Sequence, residues 1–153
     1  MIKKTVHYTD YNDREREETL YFNLSRAEFD DINDEMPGGI QGVINGLADT
    51  NNIRGFIKTV KELVKKSYGV KSNDGKRIIK NQEILDEFVQ SEAYSVVLDD
   101  VLGSVESMLV FLRGIFPTGH LTPAEKAKYD AQMDEVIAEA AALTANNNAP
   151  AVN

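Results

Sequence analysis

Two segments near the start of the chain alternate apolar and polar residues with the period of a β-strand. The first is residues 2–8 and the second is residues 19–24. The charged residues 10–14 between them are typical of a turn. The pattern predicts an N-terminal antiparallel hairpin with one apolar face, and it places His7 on the opposite, outward face.

Helix-start and helix-stop signals mark the next part of the chain. Ser25 followed by Glu28 has the sequence of a capping box, which predicts the start of a short acidic helix. The Pro-Gly-Gly at residues 37–39 is expected to end that helix, because proline disfavours helix before it and glycine adds backbone freedom. A further short helix is indicated by four apolar residues, Ile40, Val43, Ile44 and Leu47.

A longer amphipathic helix is predicted from Ile53 to about Tyr68, because its apolar residues recur on one stripe. Gly69 is expected to end this helix in the left-handed cap conformation. Residues 70–79 then place an Asn-Asp-Gly turn between two short extended pieces. This stretch predicts a second, smaller hairpin.

The C-terminal half carries three helix-start signals. Asn81 and Ser91 are each expected to cap a helix. The helix after Ser91 keeps its apolar spacing as far as Pro117, and this longest apolar stripe predicts the core helix. Thr122-Pro-Ala-Glu125 combines a capping box with proline at the first helical position, and it predicts a last helix that ends near Leu143.

Together these elements predict a mostly α-helical α+β fold in three parts. Residues 1–117 are expected to form the main domain, with the N-terminal hairpin, a helical core and the second small hairpin. Residues 118–145 are expected to be a linker and a C-terminal amphipathic helix. Residues 146–153, rich in Asn, have little to bury and are expected to be a disordered tail.

Charge is distributed unevenly along the chain. Residues 54–80 hold nine Lys or Arg against two acidic residues, a net charge of +7, and the remainder carries −15. Because nucleic-acid binding needs a net basic face, we expect no general nucleic-acid partner. Three interpretations of this basic stretch remain open. It is a local nucleic-acid patch, a docking surface for an acidic partner or another copy of the chain, or a solvated helix face and turn. If the stretch is a docking surface, the candidate partner-binding residues are Lys58, Lys61, Lys65, Lys76 and Arg77.

The last predicted helix is a second candidate surface, because its apolar residues are few and small. Such a helix either needs a partner that buries its stripe or packs back on its own domain. In the first case the candidate partner-binding residues are Tyr129, Met133, Val136 and Ile137.

No pattern for catalysis, cofactor binding or metal binding stands out. There is no cysteine, and the two histidines, His7 and His120, are expected to be solvated. Residues 69–77 lack the spacing, the hydroxyl and the strand–loop–helix order of a phosphate-binding loop. The acidic pairs do not follow a calcium loop. We therefore expect a protein that is not an enzyme, and the absence of a signal-like or membrane-spanning apolar run predicts a cytosolic location without a membrane partner.

Several segments resemble, in order and spacing, the tail assembly chaperones of siphophages that infect Gram-positive bacteria. The resemblance rests on three segments: residues 65–80 (KKSYGVKSNDGKRIIK), residues 87–95 (EFVQSEAYS) and residues 111–117 (FLRGIFP). Residues 3–10 and 21–28 are similar to that family's N-terminal hairpin and first helix. The resemblance covers about residues 1–117 and leaves residues 118–153 unassigned.

This resemblance implies a protein that binds the tape measure protein in the cytoplasm of the infected cell and helps tail tube subunits assemble around it. Such chaperones are generally absent from the mature virion, and many have a longer, frameshifted form. The acidic composition leaves one alternative function open, that of a phage regulatory or inhibitory protein that binds a host factor.

Overall fold

The computed structural model describes residues 1–46 and 53–147, without the side chains of 40, 41 and 143–147. The first half contains β1 Ile2–Thr9, β2 Glu15–Phe22, α1 Arg26–Glu35, α2 Gly39–Asn45, α3 Ile53–Ser67, β3 Tyr68–Lys71 and β4 Ile78–Ile79. The second contains α4 Gln82–Val89, α5 Glu92–Val101, α6 Val105–Ile115 and α7 Pro123–Asn147. The predicted α+β class is confirmed. Leu47, the side chains of Ile40 and Leu143, and the tail residues 148–153 lie outside the described part.

The predicted N-terminal hairpin is confirmed. β1 and β2 pair antiparallel along their whole length, starting with Ile2 opposite Phe22. Val6 and Leu20 are buried on one face of the hairpin, and His7 is exposed on the other, as the alternation predicts. One face of the sheet therefore contributes to the core, and the other carries mainly polar side chains.

The second hairpin is also present, and it extends the first. The four strands form one sheet in the order β1-β2-β3-β4, because Tyr21 and Phe22 at the end of β2 pair with Gly69 and Tyr68 of β3. The sequence predicted two hairpins but not this pairing. The connection places the β3–β4 turn beside the segment that leads from β2 into α1.

The prediction for Gly69 was wrong, because this residue does not cap α3. The helix ends at Ser67, and Gly69 lies in β3 opposite Tyr21. The described glycines with positive φ are elsewhere, at Gly38, Gly39 and Gly75. A Cβ on Gly69 would collide with Cγ2 of Ile78. Glycine is required here because a side chain of the neighbouring strand lies against its backbone.

The helix-start predictions are confirmed in three of four cases. In the first capping box the Glu28 amide donates to Ser25 Oγ over 3.3 Å, and the Ser25 amide donates to the Glu28 carboxylate over 2.8 Å. Thr122 and Glu125 repeat this arrangement before α7. Asn81 accepts from the third residue of α4. Each cap satisfies amides that the first helical turn leaves unpaired.

Ser91 and the predicted core helix require corrections. Ser91 occupies the N-cap position of α5, but its hydroxyl donates to the Phe88 carbonyl instead of capping. The helix expected to run to Pro117 is two helices, α5 and α6, because the chain turns at residues 102–104 and Ser104 caps a new helix. Both helices face the same core, so their apolar spacing continues across the break. The last helix, α7, runs past the predicted end near 143 to residue 147.

A cluster of aromatic rings joins the sheet to the helices. Phe22 is fully buried, and its ring centroid lies 5.5 Å from that of Phe111 in α6 and 6.0 Å from that of Phe88 in α4. The ring of Tyr68 stacks on Phe88 with centroids 3.9 Å apart. Aromatic pairs of this kind stabilise a core beyond the area they bury. They fix the orientation of the sheet relative to α4 and α6.

We predict that Gly69→Ala lowers the free energy of unfolding by about 1–3 kcal/mol, because the added methyl overpacks the sheet against Ile78. In an Ile78→Ala background the same substitution should cost less. The rescue should be partial, because the carbonyl oxygen of Ile79 also lies 3.0 Å from the Cβ position. Urea denaturation of the four proteins measures the coupling as a double-mutant cycle. Fully additive effects would contradict this explanation of the glycine.

Candidate partner-binding surfaces

The predicted partner-binding residues fall on three separate surfaces: the outer face of α3, the β3–β4 turn and α7. Within residues 1–46 and 53–147, no group of three or more His, Cys, Asp or Glu could hold a metal ion. His7 and His120 are both exposed. None of the helices in this part of the chain is long and apolar enough to cross a membrane.

The first surface is a stripe of cations on α3. Its four members, which we call the α3 stripe, are spaced four, three and four residues apart and lie opposite the buried side of the helix: Arg54, Lys58, Lys61 and Lys65. Lys65 pairs with Glu62 over 3.1 Å, and that hydrogen bond raises the pKa of Lys65. Lys58 and Lys61 form no ion pair with any described residue. The α3 stripe is a convex face, and Lys65 is its one member with an ion pair to a described residue.

The second surface is a cleft between the β3–β4 hairpin and the start of α1. We call it the basic cleft; it has a volume of about 520 Å³ and is lined by Met1, Asn23, Ser25, Glu28, Lys71, Gly75, Lys76, Arg77, Ile78 and Lys80. Lys80 crosses it and donates to the Glu28 carboxylate over 2.8 Å and to the Asn23 carbonyl over 2.7 Å. Burial alone would raise the pKa of Glu28, but hydrogen bonds from Lys80 and Ser25 outweigh burial and lower it.

The third surface is the contact between α6 and α7, which we call the α6–α7 seam. Arg113 on α6 donates to Asp130 over 3.2 Å and to Asp134 over 2.5 Å. These hydrogen bonds, chiefly the one with Asp134, raise the pKa of Arg113. Met133 is buried in the core, and Tyr129 and Val136 pack against the core, while Ile137 is half-buried. Of the two possibilities for the last helix, the structure has α7 packed on its own domain.

One buried polar atom in the described part of the α6–α7 seam is unpaired. The hydroxyl of Tyr129 is buried and has no hydrogen-bond partner among the described residues. Burial, as the largest cause, raises the pKa of Tyr129 to about 12. An unpaired buried hydroxyl costs about 1–3 kcal/mol relative to a paired or hydrated one. This cost partly offsets the free energy that the burial of Met133 contributes to the packing of α7 on α6.

A fourth surface was missed from the sequence. A groove of about 390 Å³ lies between α6 and the edge strand β1, with Lys4 paired to Asp100 at its rim. Its apolar lining includes Val110, which is 52% exposed. Val110 lies off the buried stripe of α6, and this apolar residue at a solvent-facing position was the available sequence signal.

A comparison with known protein families gives a match over almost the whole chain. A family model described as phage tail assembly chaperone matches residues 1–152. The match therefore continues past residue 117, where the resemblance found in the sequence ends, and includes α7. No curated protein and no solved structure is significantly similar to the chain.

We predict that Tyr129→Phe raises the free energy of unfolding by about 1 kcal/mol at neutral pH, because it removes the unpaired hydroxyl. The substitution should also change the response to alkali. Since the pKa of folded Tyr129 is about 12 and the ordinary value is 10.0, the unfolded chain loses this proton first, and the wild type loses stability as the pH rises from 10.0 to about 12. The variant should lose less over the same range.

Urea denaturation at neutral pH and across this alkaline range measures both effects. Tyr21→Phe, on the outward face of the sheet, is the control for general effects of alkali. A Tyr129→Phe variant that is less stable than wild type at neutral pH would show that the hydroxyl makes a favourable bond.

Proposed function

The chain belongs to the phage tail assembly chaperone family, and we propose that it binds the tape measure protein of its phage and helps tail tube subunits assemble around that client. The observation that carries the proposal is the family match over residues 1–152. The proposed action is protein–protein binding without catalysis or a cofactor. We place it in the host-cell cytoplasm during infection, in a siphophage of Gram-positive bacteria, and not in the mature virion.

We propose that α7 is exchanged for a client helix at the α6–α7 seam. In the described side chains of α7, residues 123–142, Met133 and Ala140 are the buried ones. The Arg113 ion pairs are partly exposed and contribute little net free energy. The unpaired hydroxyl of Tyr129 opposes the packed state. Releasing α7 should therefore cost less than releasing a helix of the aromatic core.

In this exchange the apolar stripe of α7 also becomes available to the client. A long client helix would then contact this stripe in the helix-in-groove mode of recognition. The stripe consists of Tyr129, Met133, Val136 and Ile137. A tape measure protein suits this mode because it is long and prone to aggregate, and a covering protein with a net charge of −8 keeps such a complex soluble.

We assign a secondary role to the α3 stripe. Lys58, Lys61 and Lys65 present positive charge on a chain that is acidic elsewhere, so they are suited to an acidic region of a tail protein or of another copy of the chain. Such exposed charges would mainly increase the rate of association and would make it sensitive to salt.

Co-expression with the tape measure protein from the same phage genome tests the function. We expect a soluble complex that co-purifies through an affinity tag on this chain, because the chaperone covers the apolar client surface. Tape measure protein expressed alone, or with an unrelated tagged protein, is the control and should be insoluble. Persistent insolubility without co-purification would contradict the proposal, as would the recovery of a single host protein in place of tail proteins.

A pair of matched variants tests the exchange of α7. Asp130→Asn with Asp134→Asn removes both carboxylates from Arg113, so α7 should open more often and a soluble helical fragment of the tape measure protein should bind about twofold to tenfold more tightly. Asp31→Asn with Asp34→Asn makes the same change in charge on α1, where both side chains are exposed and form no described bond. Calorimetric titration compares the three proteins. Equal affinities would show that α7 does not need to move.

A further inference from the structure

The basic cleft concentrates positive charge, of which the described residues pair only the part carried by Lys80. Four of the side chains that line it are cationic, and one, Glu28, is a carboxylate. Glu28 is already held by Lys80 and by the Ser25 amide. Within the described part of the chain, Lys71, Lys76 and Arg77 form no ion pair. The cleft therefore has a net charge of +3 on its lining side chains, in a chain with a net charge of −8.

The turn that carries two of these cations is rigidly built. Ser72 Oγ donates to Asp74 over 2.6 Å and accepts from the Arg77 amide over 3.1 Å, and the Lys76 amide donates to Asp74 over 3.1 Å. The bond from the Ser72 hydroxyl is the largest cause of the lowered pKa of Asp74. The Asp74 carboxylate thus has its hydrogen-bond donors within the turn itself. The backbone positions of Lys76 and Arg77 are fixed before any partner arrives, which lowers the entropic cost of binding.

We propose that the basic cleft binds an acidic polypeptide segment of a partner protein, with side-chain carboxylates held between Arg77, Lys76 and Lys71. The planar guanidinium of Arg77 suits a bidentate contact with one carboxylate, and the lysines add point charges on either side. This inference goes beyond the proposed chaperone function. It concerns a surface distinct from the α6–α7 seam and does not require that the partner be a tape measure protein.

Two features favour an acidic protein segment over a nucleic acid. The described residues that line the cleft include no aromatic side chain on which a base could stack, and the neighbouring ring of Tyr21 is covered by Lys71, whose Nζ lies 5.1 Å from the ring centroid. The chain has a net charge of −8, which opposes the binding of a long polyanion more than the binding of a short acidic segment. The cleft is also concave, unlike the α3 stripe, so it can surround a side chain instead of meeting it on one side.

A fluorescein-labelled hexaglutamate peptide is the probe for this site, with fluorescence anisotropy as the readout. We expect the full chain to bind it in low salt and to lose affinity as salt rises. Lys76→Glu with Arg77→Glu should weaken binding by at least about tenfold. Lys76→Gln with Arg77→Gln should fall between that variant and the wild type. Both positions are exposed, and circular dichroism with thermal melting checks that the variants are folded.

Arg14→Glu with Lys128→Glu is the matched control, because it makes the same change in composition and net charge at exposed positions outside the cleft. We expect it to bind the peptide within about twofold of wild type. Equal losses in both charge-reversed variants, or no binding to the wild type, would overturn the proposal. So would tighter binding of a labelled single-stranded oligonucleotide of equal charge. Because the probe is not a tail protein, the result stands apart from the co-expression test.

Discussion

The burial of Phe22 at the end of β2 is the constraint on which the rest of the fold depends. Its ring contacts Tyr68 of β3, Phe88 of α4 and Phe111 of α6, which lie far apart in the sequence. Its backbone pairs with Tyr68 at the same point. One residue thus fixes the order of the strands and seats the sheet on two helices. A backbone hydrogen bond extends the pairing of β2 with β3, since the Asn23 amide donates to the Ser67 carbonyl over 2.8 Å.

The pairing of β3 with the end of β2 also creates the basic cleft. Because β3 follows α3 directly and pairs with the end of β2, the β3–β4 turn must lie beside the chain that leads into α1. Lys80, the residue after β4, is thereby brought to the capping box of α1, where it bonds Glu28. Lys76 and Arg77 are carried to the same place. A basic stretch that is continuous in the sequence is divided by the fold into a convex stripe on α3 and a concave cleft.

Most features that were predicted correctly depend on neighbouring residues, although the local caps at Ser91 and Ser104 were exceptions, and the pairing of distant residues could not be predicted. The capping boxes at Ser25 and Thr122 involve residues three positions apart, and both are present as predicted. The role of Gly69 depends on Ile78 across the hairpin, so a local rule assigned it wrongly to a helix cap. The break between α5 and α6 leaves the apolar spacing intact, so periodicity could not reveal it. The candidate cations were identified, but their separation into two surfaces follows from strand pairing.

The close aromatic contacts of the core and the polar contacts of the α6–α7 seam involve different residues, and this difference favours the proposed exchange of α7. In the described residues every close aromatic pair joins elements before α7, including Phe29 of α1 with Phe116 after α6. The side of the domain that faces α7 is bridged by the Arg113 ion pairs and by Met133. Release of α7 would expose apolar surface on α6, and an apolar client could cover it again. No described residue that lines the basic cleft belongs to α7, so the proposed release of α7 would leave the lining of the cleft unchanged.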